Sequence, residues 1–158
     1  MQLSHKVVAI TGAGRGLGRA IALAFAAQGA EIAALDLRAP DLDETCTQCR
    51  AQGVRATPYL VNVTDEDQVI QGLDAVVATS GRLDVLVNDV WGGDALTEFG
   101  KTFWQVDVTK GRKMIDQAIW SHILTSHHAA PLMFDRGDRG TGLIVEITDG
   151  DFYGYRGN

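Results

Sequence analysis

The chain has 158 residues, 46% hydrophobic and 22% charged. That is one domain's worth of core, and it excludes disordered, collagen-like and disulfide-scaffold classes. A formal net charge of −6 disfavours a nucleic-acid partner, and the basic cluster Lys110, Arg112, Lys113 reads as a solvated helix start. No apolar run approaches the roughly 18 residues of a membrane span, and a first strand beginning by Lys6 leaves no room for a signal peptide, so a cytoplasmic location is expected.

Strand-like and helix-like runs alternate, the pattern of an α/β fold with a doubly wound parallel sheet. Val7 to Ile10 is the first strand. A glycine turn follows, then a helix over Arg19 to Ala27 that stacks Leu17, Ile21 and Phe25 at fourth-residue spacing until Gly29. Ile32 to Leu35, closing at Asp36, is the second strand. After Pro40 a polar helix runs from Leu42 to Gln52, and Ala56 to Val61 is the third strand. Thr64 is the expected cap of the next helix, whose acidic first turn complements the helix dipole. Leu83 to Val87 gives the fourth strand, apolar nearly throughout as two covered faces require. A long loop from Asn88 to Thr109 carries Trp91, Gly92, Gly93 and Trp104, and loops of this length are usually functional or mobile. The spacing then predicts a helix over Lys113 to Ala130 with a buried stripe of Ile115, Ala118, Ile119, His122 and Ile123, ended by Pro131. Leu143 to Ile147 is the fifth strand, and residues 148–158 have no regular period.

Cys46 and Cys49 stand in C-x-x-C, yet no second pair or nearby histidine completes a zinc site, so they read as ordinary helix thiols. Adjacent His127 and His128 point apart on a helix, and His122 has no acidic residue at i+4; no metal is expected.

Chemistry concentrates at Thr11 to Gly18, TGAGRGLG, between the first strand and its helix. A glycine turn at a helix N-terminus lets backbone N–H groups and the positive dipole end face a phosphate. The six-residue fingerprint G-x-G-x-x-G fails here, since its last position falls on Leu17 or Arg19; Gly12-x-x-x-Gly16-x-Gly18 fits. A ligand-free glycine turn is the plain alternative, and a methyltransferase-type loop would want an acidic residue near position 11, where Thr11 stands. Asp36, eighteen residues past Gly18, sits where a carboxylate accepts ribose hydroxyls and repels a 2′-phosphate, which favours NAD; Arg15 and Arg38 leave NADP open, and Asp36 could instead be a solvated strand end.

Thr-Gly-x-x-x-Gly-x-Gly on a first strand resembles the cofactor motif of the short-chain dehydrogenase/reductase family. The resemblance implies a Rossmann-like fold, cofactor contacts from Gly12, Arg15, Gly16, Leu17, Gly18 and Asp36, and adenine contact from Asn62 and Val63, where the family more often has aspartate at the first position. Asn62 could equally only terminate its strand. Asn88-Asp89-Val90-Trp91 resembles a divergent Asn-Asn-Ala-Gly signature in which Asn88 alone matches. The family serine at the fifth-strand end implies Thr148, with Asp149 its rival or a simple turn residue, and the resemblance places the family's relay asparagine at His122, which could equally be a packed core residue.

The family's catalytic Tyr-x-x-x-Lys is not matched: Tyr153 has Gly157 at the lysine position, and the position four past Tyr155 lies beyond Asn158. The resemblance therefore covers roughly the family's N-terminal 60%, five strands without the last two, as in a fragment or a truncated product. The implied activity is hydride transfer between a nicotinamide and a small carbonyl or alcohol substrate, with little turnover by these residues alone. A non-catalytic dinucleotide-binding module is the alternative. An uncovered fifth strand is expected to cause homo-oligomerisation or poor solubility.

Overall fold

The computed structural model describes residues 3–134 and 141–148. Five strands, β1 (Val7–Thr11), β2 (Glu31–Asp36), β3 (Ala56–Leu60), β4 (Val85–Asn88) and β5 (Leu143–Glu146), form one sheet in the order β3-β2-β1-β4-β5. Every pairing is parallel. The helices are α1 (Gly16–Ala27), α2 (Ala39–Arg50), α3 (Glu66–Ser80), α4 (Val108–Ile115) and α5 (Ser121–Phe134). This is the doubly wound α/β, Rossmann-like architecture that the alternating pattern predicts.

The strand period of two explains the layering. Val8 and Ile10 of β1 enter a core with Ala22 and Ala26 of α1 and Leu42, Cys46 and Cys49 of α2. Val7 and Ala9 point to the opposite face, against Val69, Leu73 and Val76 of α3 and Ala129 and Met133 of α5. Each fully buried Val, Ile or Leu contributes about 2 kcal/mol. Chain order reverses at β1: β2 lies on one side and β4 on the other. In sheets of this kind the place where ligands bind lies beyond the carboxyl ends of the strands at such a reversal.

Several boundaries differ from the sequence expectation. Helix α1 starts at Gly16 and buries Gly18, Ala22 and Ala26, whereas Leu17 is 56% exposed. Small side chains let this helix approach the sheet closely, so the larger residues flank the contact. Pro40 lies inside the first turn of α2, where its missing N–H costs nothing. Asp65, not Thr64, caps α3 by accepting the Gln68 N–H at 3.2 Å. The fourth strand begins at Val85 because the preceding Asp84 is a buried carboxylate that accepts the Val7 N–H at 2.9 Å.

The largest difference is the helix after the long loop. It begins at Val108, passes through a π-helical turn at Asp116–Trp120, and continues past Pro131 to Phe134. A π turn inserts an extra residue and rotates the following face. Its buried face is therefore Ser121, Leu124, Thr125, Ala129 and Met133. Ile115, Ile119 and Ile123 do share one stripe, but that stripe is about half exposed. Within the long loop lie two single 3₁₀ turns, Asp94–Leu96 and Phe103–Gln105.

Candidate functional site

The glycine loop is fixed through its carbonyl groups. Gly14 O accepts from Arg19 Nη2 at 2.6 Å, and the Thr45 hydroxyl lies 3.0 Å from Ala13 O. Arg19 is itself held by Glu44 at 2.9 Å. Gly12 adopts φ +71°, and a Cβ there would lie 3.1 Å from Asp89 O. A Cβ on Gly18 would lie 2.2 Å from Gly12 O, a distance that excludes any side chain. The loop thus folds back on the first turn of α1 and anchors its oxygens inward.

Ala13 N–H is spent on Leu35 O at 3.1 Å, and the amides at the start of α1 are the ones without a side-chain partner. Arg15 precedes α1 without a side-chain cap, so the first helical N–H groups keep no side-chain acceptor. Arg15, Gly16 and Leu17 are all exposed there. Asp36 reaches over from β2: one carboxylate oxygen accepts the Gly14 N–H at 3.0 Å and the other the Arg38 N–H at 3.1 Å. Arg38 is drawn onto Asp41, with Nε 2.6 Å from the carboxylate. Uncapped amides at a helix N-terminus beside a strand-end carboxylate match the donor set that a dinucleotide needs: donors for the pyrophosphate and acceptors for a ribose.

Farther along the sheet edge, Asn62 closes its own turn, its side-chain oxygen accepting the Thr64 N–H at 3.1 Å. Val63 is buried, which leaves only its backbone to meet a ligand.

Asn88 is the buried hub of the other half. Its Oδ1 accepts from the Thr125 hydroxyl at 2.7 Å, and its Nδ2 donates to Glu146 Oε1 at 2.8 Å and to Ser126 Oγ at 2.9 Å. The registers explain the meeting, since Asn88 lies beside Thr11 on one flank and Glu146 on the other. Glu146 also holds His122, with Nδ1 at 2.8 Å, and the second ring nitrogen faces Val90 O at 3.0 Å. Both imidazole nitrogens therefore face acceptors. Sequence reasoning passed over Glu146 because it searched for a histidine partner on the same helix; the partner comes from a strand.

A groove of about 520 Å³ opens beside this network, lined by Ala118, Ile119, Ile123, Ser126 and Thr148 with His122 and Glu146 at its polar end. Thr148 is exposed at its mouth. Asp149, Tyr153 and Tyr155 lie outside the described residues.

Asp89 follows Asn88 into the crevice. Its N–H donates to Thr11 Oγ1 at 3.2 Å, and one carboxylate oxygen would touch a Cβ on Gly18 at 3.0 Å. Burial pushes the carboxyl above its ordinary pKa, and the neighbouring His122 opposes that rise. Beyond it, Glu98 staples the long loop by accepting from the Asp107 N–H at 2.8 Å and from Lys101 and Lys110, which hold its pKa down at about 2. Cys46 and Cys49 are buried, with burial pushing the Cys46 thiol up to about 11. Among the described residues no cluster could hold a metal, and no helix is long and apolar enough to cross a membrane.

Comparison with known proteins agrees with this geometry. The profile of the family described as short chain dehydrogenase matches residues 6–150. A 3-oxoacyl-[acyl-carrier-protein] reductase of Thermotoga maritima is 42% identical over 89 residues, 56% of this chain and 36% of that protein. An uncharacterized oxidoreductase of Mycobacterium tuberculosis is 32% identical over 153 residues, covering 94% of this chain and 55% of that protein. Among solved structures, carveol dehydrogenase from Mycobacterium avium in complex with NAD superposes with a TM-score of 0.83 at 27% identity, over 92% of this chain and 55% of that one. The chain thus spans a third to a little over half the length of these relatives.

Proposed function

The chain belongs to the short-chain dehydrogenase family, and from that premise we propose that it binds NAD across the glycine loop and forms the cofactor half of an oxidoreductase acting on a small carbonyl or alcohol. The observation that carries this reading is the uncapped N-terminus of α1, closed against Gly12 by a side-chain-free Gly18 and flanked by Asp36. Gly12, Arg15, Gly16, Leu17 and Gly18 would hold the pyrophosphate, Asp36 a ribose, and Asn62 with the Val63 backbone the adenine. When bound, a nicotinamide supplies or accepts a hydride. The engagement of Arg38 with Asp41 removes one competitor for a 2′-phosphate and supports NAD over NADP.

On the reaction side, Thr148 or Asp149 would orient the substrate carbonyl, and Asn88 would hold the crevice in shape. His122, tied to Glu146, would hold a proton close to the groove. Titration calorimetry with NAD and NADP tests the cofactor reading: NAD binds more tightly, and a preference for NADP would reverse the choice.

The non-catalytic module remains the second reading, favoured by the internal engagement of both His122 ring nitrogens. Coding sequence past Asn158 discriminates, since Tyr-x-x-x-Lys there supports the enzyme and a stop codon supports the module. Self-association belongs to the same proposal. It is supported by the half-exposed stripe of Ile115, Ile119 and Ile123 and by the outer edge of β5, unpaired among the described residues.

A further inference from the structure

We propose that Asp89 makes cofactor capture proton-linked: its carboxylate shares the positive end of α1 with the incoming pyrophosphate, so the dinucleotide binds with uptake of a proton at Asp89. This rests on the cofactor reading above and adds to it a residue that the glycine motif does not contain.

The geometry is specific. Asp89 lies against both ends of the glycine loop, its backbone oxygen 3.1 Å from a Cβ on Gly12 and its carboxylate 3.0 Å from one on Gly18. The carboxylate accepts no hydrogen bond from any described residue, in contrast to Asp36 and Glu146, whose oxygens are all engaged. A half-buried carboxylate without a donor is one whose charge is least compensated. An anion arriving at the same helix end raises the free energy of the charged form further, and a proton relieves it.

The surrounding charges do not replace that proton. From the loop, Arg15 stands exposed at the tip. From α5, His122 faces Asp89, but its ring is bound between Glu146 of β5 and Val90 O. From β2, Asp36 is turned onto Gly14, and in the following loop Asp94 is turned onto Trp91 Nε1 at 2.8 Å.

The test is calorimetric titration of the chain with NAD and with ADP-ribose, which carries the pyrophosphate without the nicotinamide, in buffers of different ionisation enthalpy. Both ligands are expected to bind about tenfold more tightly at about pH 5 than at about pH 8, with net proton uptake between. Asp89→Asn is expected to flatten that dependence to within about twofold and to bind as the wild type does at low pH. Binding without proton uptake, or a pH slope that survives in Asp89→Asn, overturns the proposal and leaves the cofactor site standing. A pH slope seen with NAD and not with ADP-ribose also overturns it, since the charge sensed would be the nicotinamide's. If neither ligand binds the folded chain at any pH, the cofactor reading falls and this proposal with it.

Discussion

Strands β1 and β5 are both short and apolar, yet all five residues of β1 are buried and none of the four in β5 is. The difference is neighbours. β1 is paired on both edges and sandwiched between α1 with α2 and α3 with α5, while β5 is paired on one edge only among the described residues. The polar groups divide in the same way. Around the glycine loop the carbonyl groups are anchored by Arg19 of α1 and Thr45 of α2, and the first amides of α1 keep no side-chain acceptor, whereas the β5 half depends on one buried amide, Asn88, that gathers groups from α5 and β5. One half is organised around a prospective ligand and the other around itself.

That contrast breaks most sharply at Gly18. Gly18→Ala forces the loop off α1, with an expected cost of about 3 kcal/mol in unfolding free energy and loss of NAD binding. Chemical denaturation and calorimetry together read both effects. Asn88→Ala acts on the other half. It strips the Thr125 hydroxyl and Glu146 of one partner each, with an expected loss of about 2 kcal/mol and NAD affinity changed less than in the glycine variant. Asp36→Ala sharpens the comparison, because NAD should weaken about tenfold while NADP weakens less, leaving the β5 half untouched. The smallest effect is at Glu98. Its folded pKa of about 2 lies below the ordinary carboxylate value, so the stability it gives is present above about pH 4.5 and lost as pH falls toward 2. Glu98→Gln should speed proteolysis within residues 89–107 at neutral pH and abolish the acid dependence of that cleavage.

The glycine-loop half was largely legible in the sequence, for a physical reason. Gly12, Gly16 and Gly18 answer to backbone sterics, which act within a few residues, and Asp36 answers to strand length. The sheet and its order of elements followed from alternation alone. What could not be read depended on a change of period or on distant partners. Ile115, Ile119 and Ile123 kept helical spacing, but the π turn at Asp116–Trp120 carried the buried face elsewhere. His122 was read against its own helix, and its partner Glu146 lies on β5, set there by a register that no spacing encodes. Leu17 was placed by fourth-residue spacing in one stripe with Ile21 and Phe25, yet the residues that α1 buries are Gly18, Ala22 and Ala26. The assignment of Asp149 falls outside the described residues.

Calorimetric titration of the folded chain with NAD tests most directly whether residues 12–18 and Asp36 form a dinucleotide cradle. Saturable one-to-one binding that Gly18→Ala abolishes and Asp36→Ala weakens is the expected result. Absence of binding to a chain whose circular dichroism shows it folded, or binding that both substitutions leave unchanged, would contradict it.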